Sequence, residues 1–251
     1  MNTQKKRIAA LVLATGLSGA AQAALHDRGG GLIYDDILNV TWLQDANYAK
    51  TTGHSTDGYM SWHDATAWAA NLSYYDSVRN VTYDDWRLPT TGPVNGISMN
   101  YNQSAKGSTD YAFNISALGT IYAGSTGNEM AHLFYNSLAN TGYCDSVLST
   151  DSSCLRTYTS WDSTNPGPFS NLQTQDYWSG TQYLNCISGC YDKAWYFHFG
   201  DGFQAYTSKV NVGFSFVVRN GDVAAVPEPE TYAMMLAGLG LVGFMACRRK
   251  A

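Results

Sequence analysis

The residues able to do acid–base, metal or nucleophile chemistry are scattered along this chain. His26, His54, His63, His132 and His198 share no motif spacing. No H-E-x-x-H, G-x-S-x-G, phosphate-loop or EF-hand pattern is present. Asp35, Asp36 and Asp45, with Asp84 and Asp85, are the carboxylates that could form a calcium site or an acid–base pair. They stand beside turns, where carboxylates usually cap or solvate the backbone, and that role is the expected one. Arg87, inside Trp86-Arg87-Leu88-Pro89, is expected to make a structural hydrogen-bonded pair rather than a substrate clamp. No catalytic residue, metal ligand set or resident cofactor is assigned; calcium is the one alternative retained.

Cysteine chemistry is the other resource. Cys144, Cys154, Cys186 and Cys190 lie in the body of the chain, and Cys247 lies in the terminal apolar run. In an exported protein four cysteines read as two disulfides, with three connectivities open. The expected pairs are Cys144–Cys154 and Cys186–Cys190, because each pair falls inside one predicted loop. A zinc site built from all four is disfavoured, since the spacing is not the paired C-x2-C of zinc ribbons.

The elements that must position these residues follow from periodicity. Leu32–Tyr34 and Val40–Leu43 read as two short strands around a polar turn. Ser61 and Asp64 form an S-x-x-D cap for a helix that buries Trp62, Ala65, Ala69 and Leu72, with Trp68 beside them. Those indoles are read as core, with a sugar-stacking platform as the alternative. Thr126 and Glu129 form a T-x-x-E box opening a second helix to Asn140, with Met130, Leu133, Phe134 and Leu138 as its stripe. The stretches 92–127 and 142–175 read as long loops, the first holding a hairpin around 111–113 or 121–122. Strands are predicted over 176–181, 194–199 and 203–207, with a Gly200-Asp201-Gly202 turn, and over 213–219. In the last strand Phe214, Phe216 and Val218 should share one face. The fold class is therefore α+β: two helices packed on antiparallel sheets with long loops, one sheet joining both ends of the domain.

Both ends of the chain read as addresses. Lys5, Lys6 and Arg7 precede an apolar run, Ile8–Leu17, and Ala21-Gln22-Ala23 is a cleavage site, so residues 1–23 are a signal peptide and cleavage falls between Ala23 and Ala24. Residues 226–251 carry Pro227-Glu228-Pro229, sixteen apolar residues from Tyr232 to Cys247, then Arg248, Arg249 and Lys250. The run spans roughly 24 Å as a helix. That is short for a ~30 Å hydrocarbon core but adequate for a transmembrane helix with local thinning. The basic cluster keeps the tail end cytoplasmic and the body across the membrane. A plain anchor helix is one reading. The order of parts closely resembles the PEP-CTERM sorting signal, which implies recognition by an exosortase, cleavage near the motif, and release to the cell surface or matrix. The expected processing partners are signal peptidase and exosortase, with transient residence in the inner membrane.

Charge narrows the ligand classes. The whole chain carries a net charge of −5. Setting aside six basic and two acidic residues in the two end segments leaves nine basic against eighteen acidic, or −9. Such a body argues against nucleic acid and anionic membrane surfaces as partners. It also disfavours anionic polysaccharide unless a divalent cation or a basic patch intervenes. Charged residues are only 14% of the chain while Tyr and Trp number 18 and 7, which suits an extracellular, loop-rich domain.

A second resemblance rests on an ordered set: Trp42-Leu43, the helix from Ser61, Trp86-Arg87-Leu88-Pro89-Thr90, Tyr177-Trp178-Ser179-Gly180-Thr181, Ala194-Trp195-Tyr196-Phe197-His198-Phe199 and Val218-Arg219-Asn220-Gly221. Together these resemble the Lcl C-terminal-type domain, here residues 24–225. The resemblance implies a C-type lectin-like fold, with Trp86, Arg87, Leu88, Pro89, Trp178 and Trp195 in structural roles. It also implies adhesion or polysaccharide binding. The Glu-Pro-Asn, Gln-Pro-Asp and Trp-Asn-Asp calcium triplets of sugar-binding lectins are missing from the body. Two function classes stand: a non-catalytic surface module binding exopolysaccharide, or an enzyme on a scaffold like that of formylglycine-generating enzymes. For the first, Tyr101, Tyr111, Tyr158 and Trp161 in the long loops are the candidate ligand contacts.

Overall fold

The computed structural model describes residues 25–156, 165–185 and 191–224. Both end segments, the Cys186–Cys190 pair, Tyr158 and Trp161 lie outside them. Among the described residues no helix is long and apolar enough to cross a membrane. The span expected at 232–247 falls beyond them.

The architecture is mainly β with little helix. The first sheet begins with β1 (Leu25–Asp27), β2 (Leu32–Asp35) and β3 (Val40–Leu43). The Asp35 carboxylate closes the β2–β3 turn by accepting from the N–H groups of Ile37 and Leu38 at 3.1 and 3.0 Å. After a four-residue helix α1 (Tyr48–Thr51) and a short β4 (Met60–Ser61) comes α2 (Trp62–Ala70). Its N-cap is Ser61, whose hydroxyl accepts from the Asp64 N–H at 3.3 Å, as its S-x-x-D spacing predicts. A hairpin, β5 (Tyr74–Asp76) and β6 (Val81–Tyr83), leads to two short parallel strands, β7 (Gln103–Ser104) and β8 (Tyr111–Ala112). Then follow α3 (Glu129–His132), continuing as a π-helical turn over Leu133–Ser137, and β9 (Asp176–Gln182), β10 (Lys193–His198), β11 (Phe203–Ser208), β12 (Val212–Gly213) and β13 (Val218–Asn220).

Two sheets carry the body. One has the order β1-β2-β3-β13, so strands from both ends of the described body pair side by side, as expected. The other has the order β7-β8-β11-β10-β9. The β10–β11 hairpin turns at Gly202 with φ +76°, and a Cβ there would meet the Tyr135 hydroxyl at 2.1 Å, so glycine is required twice over. Apolar packing divides into two clusters. One gathers Trp42, Phe134, Tyr177, Phe197, Phe199, Phe214 and Phe216. The other gathers Trp62, Trp68, Trp86, Leu88, Trp178 and Val217.

Three expectations are corrected. The second helix does not run from Thr126 to Asn140: it is four α residues and a π turn, capped at Asn128 with no side-chain bond. The T-x-x-E box fails because Glu129 is spent elsewhere, accepting from Arg87 and from the Thr90 N–H. The final strand is two pieces, because residues 214–217 thread between the sheets with both faces buried. Phe214, Phe216 and Val218 enter one cluster and Val217 the other, so the alternation holds even though the pairing breaks. The stretch 92–127 is not an outlying loop. Ala105, Ala112, Ile115 and Ala117 are core, and the buried Asp110 carboxylate holds the Val94 and Asn100 N–H groups at 2.7 and 2.6 Å.

Candidate functional site

The residues with chemical potential are kept apart. Asp36 bonds His26, Asp45 bonds Thr51 and Asn171, and Asp85 bonds Arg219, while Asp35 serves its turn and the Ser137 hydroxyl. Among the described residues no three His, Cys, Asp or Glu side chains gather in a metal-holding group. Asp85 is held below the usual carboxylate range chiefly by its hydrogen bond from Arg219. Arg87 makes the structural fork expected of it: two bonds of 2.7 Å to Glu129 and two to the Asn220 amide oxygen, at 3.1 and 2.7 Å. This ties the Trp86–Pro89 segment to α3 and β13. Trp86, Leu88, Pro89, Trp178 and Trp195 are all buried.

What the fold does assemble is a row of aromatic rings on the five-stranded sheet. Register places Trp195 of β10 opposite Tyr206 of β11, with ring centroids 5.6 Å apart. Tyr183, just past β9, stacks on Tyr206 at 3.8 Å with planes 25° apart. Tyr101, reaching in from the 92–127 arm, stacks over Trp195 at 6.1 Å and meets Tyr183 edge-on at 5.1 Å. From Tyr206 the ring contacts pass through Tyr111 at 5.3 Å to the opposite face of the sheet, where Phe203, three residues before Tyr206 on β11, lies 5.4 Å from Tyr111 and Phe113 stacks on it at 4.4 Å. It reaches Tyr143, whose ring lies 5.9 Å from Phe113. Trp195 and Tyr183 are buried and anchor the row, while Tyr101, Tyr111, Phe113, Tyr143, Phe203 and Tyr206 are half-buried. Lys193 sits over Tyr206 at 5.5 Å and Arg156 over Tyr143 at 5.1 Å.

Burial favours the neutral form of three phenols in the row. Burial, followed by the neighbouring Tyr206, pushes the Tyr183 phenol up to about 12. Burial likewise raises Tyr101 and Tyr111, with smaller help from Asp110 and Tyr206 respectively. These three hydroxyls remain able to donate and accept across the physiological range. Apolar ring faces beside neutral hydroxyls match the alternating C–H and O–H character of a sugar.

Of the four residues named as ligand contacts, Tyr101 and Tyr111 belong to one row joined through Tyr206. Tyr158 and Trp161 are outside the described residues. The row also holds Phe113, Tyr143, Tyr183, Phe203 and Tyr206, none of them named above as a ligand contact. Phe203 and Tyr206 stand in β11 and Tyr183 just past β9, where an aromatic reads equally well as core, while Phe113 and Tyr143 carry no motif. A separate cavity of about 620 Å³ between α1 and α2 is lined by Tyr48, His54, Asp64, Trp68 and Asn71 and touches none of the row.

The Cys144–Cys154 disulfide is present, as expected, its Cα atoms 5.1 Å apart. It closes the loop next to Tyr143.

Residues 225–250 match the PEP-CTERM protein-sorting motif. No curated protein and no solved structure matches the chain. Nothing in these comparisons supports the Lcl C-terminal-type or lectin-like resemblance. The matched tail implies an exported protein, processed by exosortase and delivered to the cell surface or the extracellular space.

Proposed function

We propose that residues 24–225 form a non-catalytic interaction module that binds neutral or cation-bridged exopolysaccharide once signal peptidase and exosortase have removed the two ends. The observation that carries this reading is the half-buried aromatic row from Tyr101 to Tyr143, resting on buried Trp195 and Tyr183. Ring faces give affinity for sugar C–H surfaces without charge, which suits a body with nine basic and eighteen acidic residues. The sorting motif supports it by implying delivery to the surface or beyond. The Lcl C-terminal-type, lectin-like reading keeps its support in the ordered sequence motifs. The pairing of β3 with β13, which joins the two ends of the body, accords with it.

A polysaccharide array probed with the secreted protein tests this. Retention on neutral glucans, mannans or galactans that Tyr206→Ala reduces is the expected result. Equal retention by wild type and Tyr206→Ala, or no retention on any polymer, refutes the row as a binding surface.

A further inference from the structure

A cavity of about 510 Å³ opens where β9, β10 and β11 meet the turn that leads into β12. That size falls within the ~300–1,000 Å³ typical of small-ligand sites. Sheet register determines what lines it. Tyr196 pairs with Trp178 and His198 with Asp176, while Thr207 pairs with Ala194, so Asp176, Trp178, Tyr196 and Thr207 share one face. This is the face opposite Phe197 and Tyr177, which belong to the core. Asn211 closes the rim and donates to the Thr207 hydroxyl at 2.6 Å. At Gly213 an added Cβ would stand 3.1 Å from the Trp178 indole nitrogen, so the backbone hugs the floor.

Asp176 is the unusual member. Its backbone carbonyl accepts from the Phe214 N–H at 2.8 Å, but its carboxylate accepts no hydrogen bond among the described residues. The nearby His198 is bonded to Asp201 instead, at 2.9 Å. Burial raises Asp176, with His198 opposing and Asp201 adding to that rise. A partly desolvated carboxylate without a donor, at the mouth of a cavity, is a receptor for a cation that brings its own N–H groups. The Tyr196 ring offers a face for C–H groups above the buried Trp178, and Thr207 and Asn211 offer hydrogen bonds to hydroxyls.

We propose that this cavity binds one hexosamine unit with an unacetylated amine, its ammonium paired with the Asp176 carboxylate and its ring against Tyr196. This goes beyond the neutral or cation-bridged polymer of the polysaccharide reading by adding a cationic sugar unit, and it rests on that reading only for the polymer. Binding of the monosaccharide stands independently of the aromatic row.

Isothermal titration of the secreted protein with glucosamine, N-acetylglucosamine, glucose and ethanolamine tests it. Glucosamine is expected to bind at least tenfold more tightly than the other three, because only it has both the charge and the ring. Asp176→Asn is expected to abolish that preference, while Tyr206→Ala leaves it intact. Val210→Trp provides a check independent of the acid: Val210 is 78% exposed on the rim, and an indole there should block entry without loss of fold. Four results would each overturn the proposal: no glucosamine binding, equal binding of all sugars, ethanolamine as tight as glucosamine, or a preference surviving in both variants. If Tyr206→Ala leaves polymer retention unchanged while Asp176→Asn abolishes glucosamine binding, the row fails and this site stands.

Discussion

At the scale of single residues, the molecule uses its polar side chains to hold the fold. Trp86 is 3% exposed, donates to the Tyr83 carbonyl at 3.1 Å and meets Tyr74 edge-on at 6.0 Å. Trp86→Ala should cost about 3–5 kcal/mol, read as a lowered denaturation midpoint. A stable variant that has lost ligand binding would show that Trp86 belongs to a site. Arg87→Ala would leave the Glu129 carboxylate, whose side chain is only 9% exposed, without its counter-charge and with the Thr90 N–H as its remaining donor among the described residues. Breaking a buried pair from one side costs about 3–5 kcal/mol, and Arg87→Lys should rescue little because it cannot form the fork. His132 supplies a pH dependence. It is buried, its Nδ1 lies 3.1 Å from the Ser125 carbonyl, and its Nε2 has no partner among the described residues. Burial lowers its pKa below 6.5, with Ser125 and Asp35 opposing. The unfolded chain then takes up the proton first as pH falls. Stability should therefore drop below about pH 6.5 and stop dropping at the lower folded value. Thermal melts from pH 7.5 to 5 check this, and His132→Gln should flatten the slope in that window.

At the scale of elements, the Cys144–Cys154 link closes a loop with a sequence separation of 10 beside the aromatic row. In the chain-entropy model such a loop stabilises by about 2–3 kcal/mol. Reduction, or the double serine variant, should lower the unfolding free energy by that amount, read as a lower melting temperature, and loosen Tyr143. An unchanged melting temperature would mean the link is absent from the secreted protein. Elements with local signatures were legible in the sequence. The Ser61 cap, the β2–β3 turn at Asp35 and the Gly200–Gly202 hairpin each depend on residues within a few positions of one another. Glu129 was misread because its partner, Arg87, lies 42 positions away, and spacing cannot show a contact of that range. The last strand was misread because its alternation is intact, yet it changes partners, from β4 at Val212–Gly213 to β3 at Val218–Asn220. The aromatic row was half legible. Tyr101 and Tyr111 are singled out by their place in loops, but Tyr183, Phe203 and Tyr206 sit in or beside strands, where an aromatic reads as core.

At the scale of the whole molecule, charge and sorting decide where and how it acts. The acidic body should repel an anionic polymer. Retention on such a polymer should rise when salt screens that repulsion, within a Debye length of ~10 Å at 0.1 M, or when calcium bridges it. Tight heparin-like binding that salt abolishes would instead assign control to local cations such as Lys193 and Arg156. Intact-mass spectrometry of the exported protein should give a chain beginning at Ala24 and ending near Pro227–Pro229. A surface form that retains Cys247 and Arg248 would mean a permanent anchor. The central claim, that the half-buried row is the binding surface, is tested most directly by affinity electrophoresis in a neutral polysaccharide gel. Wild type, Tyr101→Ala, Tyr111→Ala and Tyr206→Ala would be compared at matched thermal stability. Each loss of a ring should weaken retention by roughly 1–2 kcal/mol, about five- to thirtyfold. Variants that are folded and retained as strongly as wild type would contradict it.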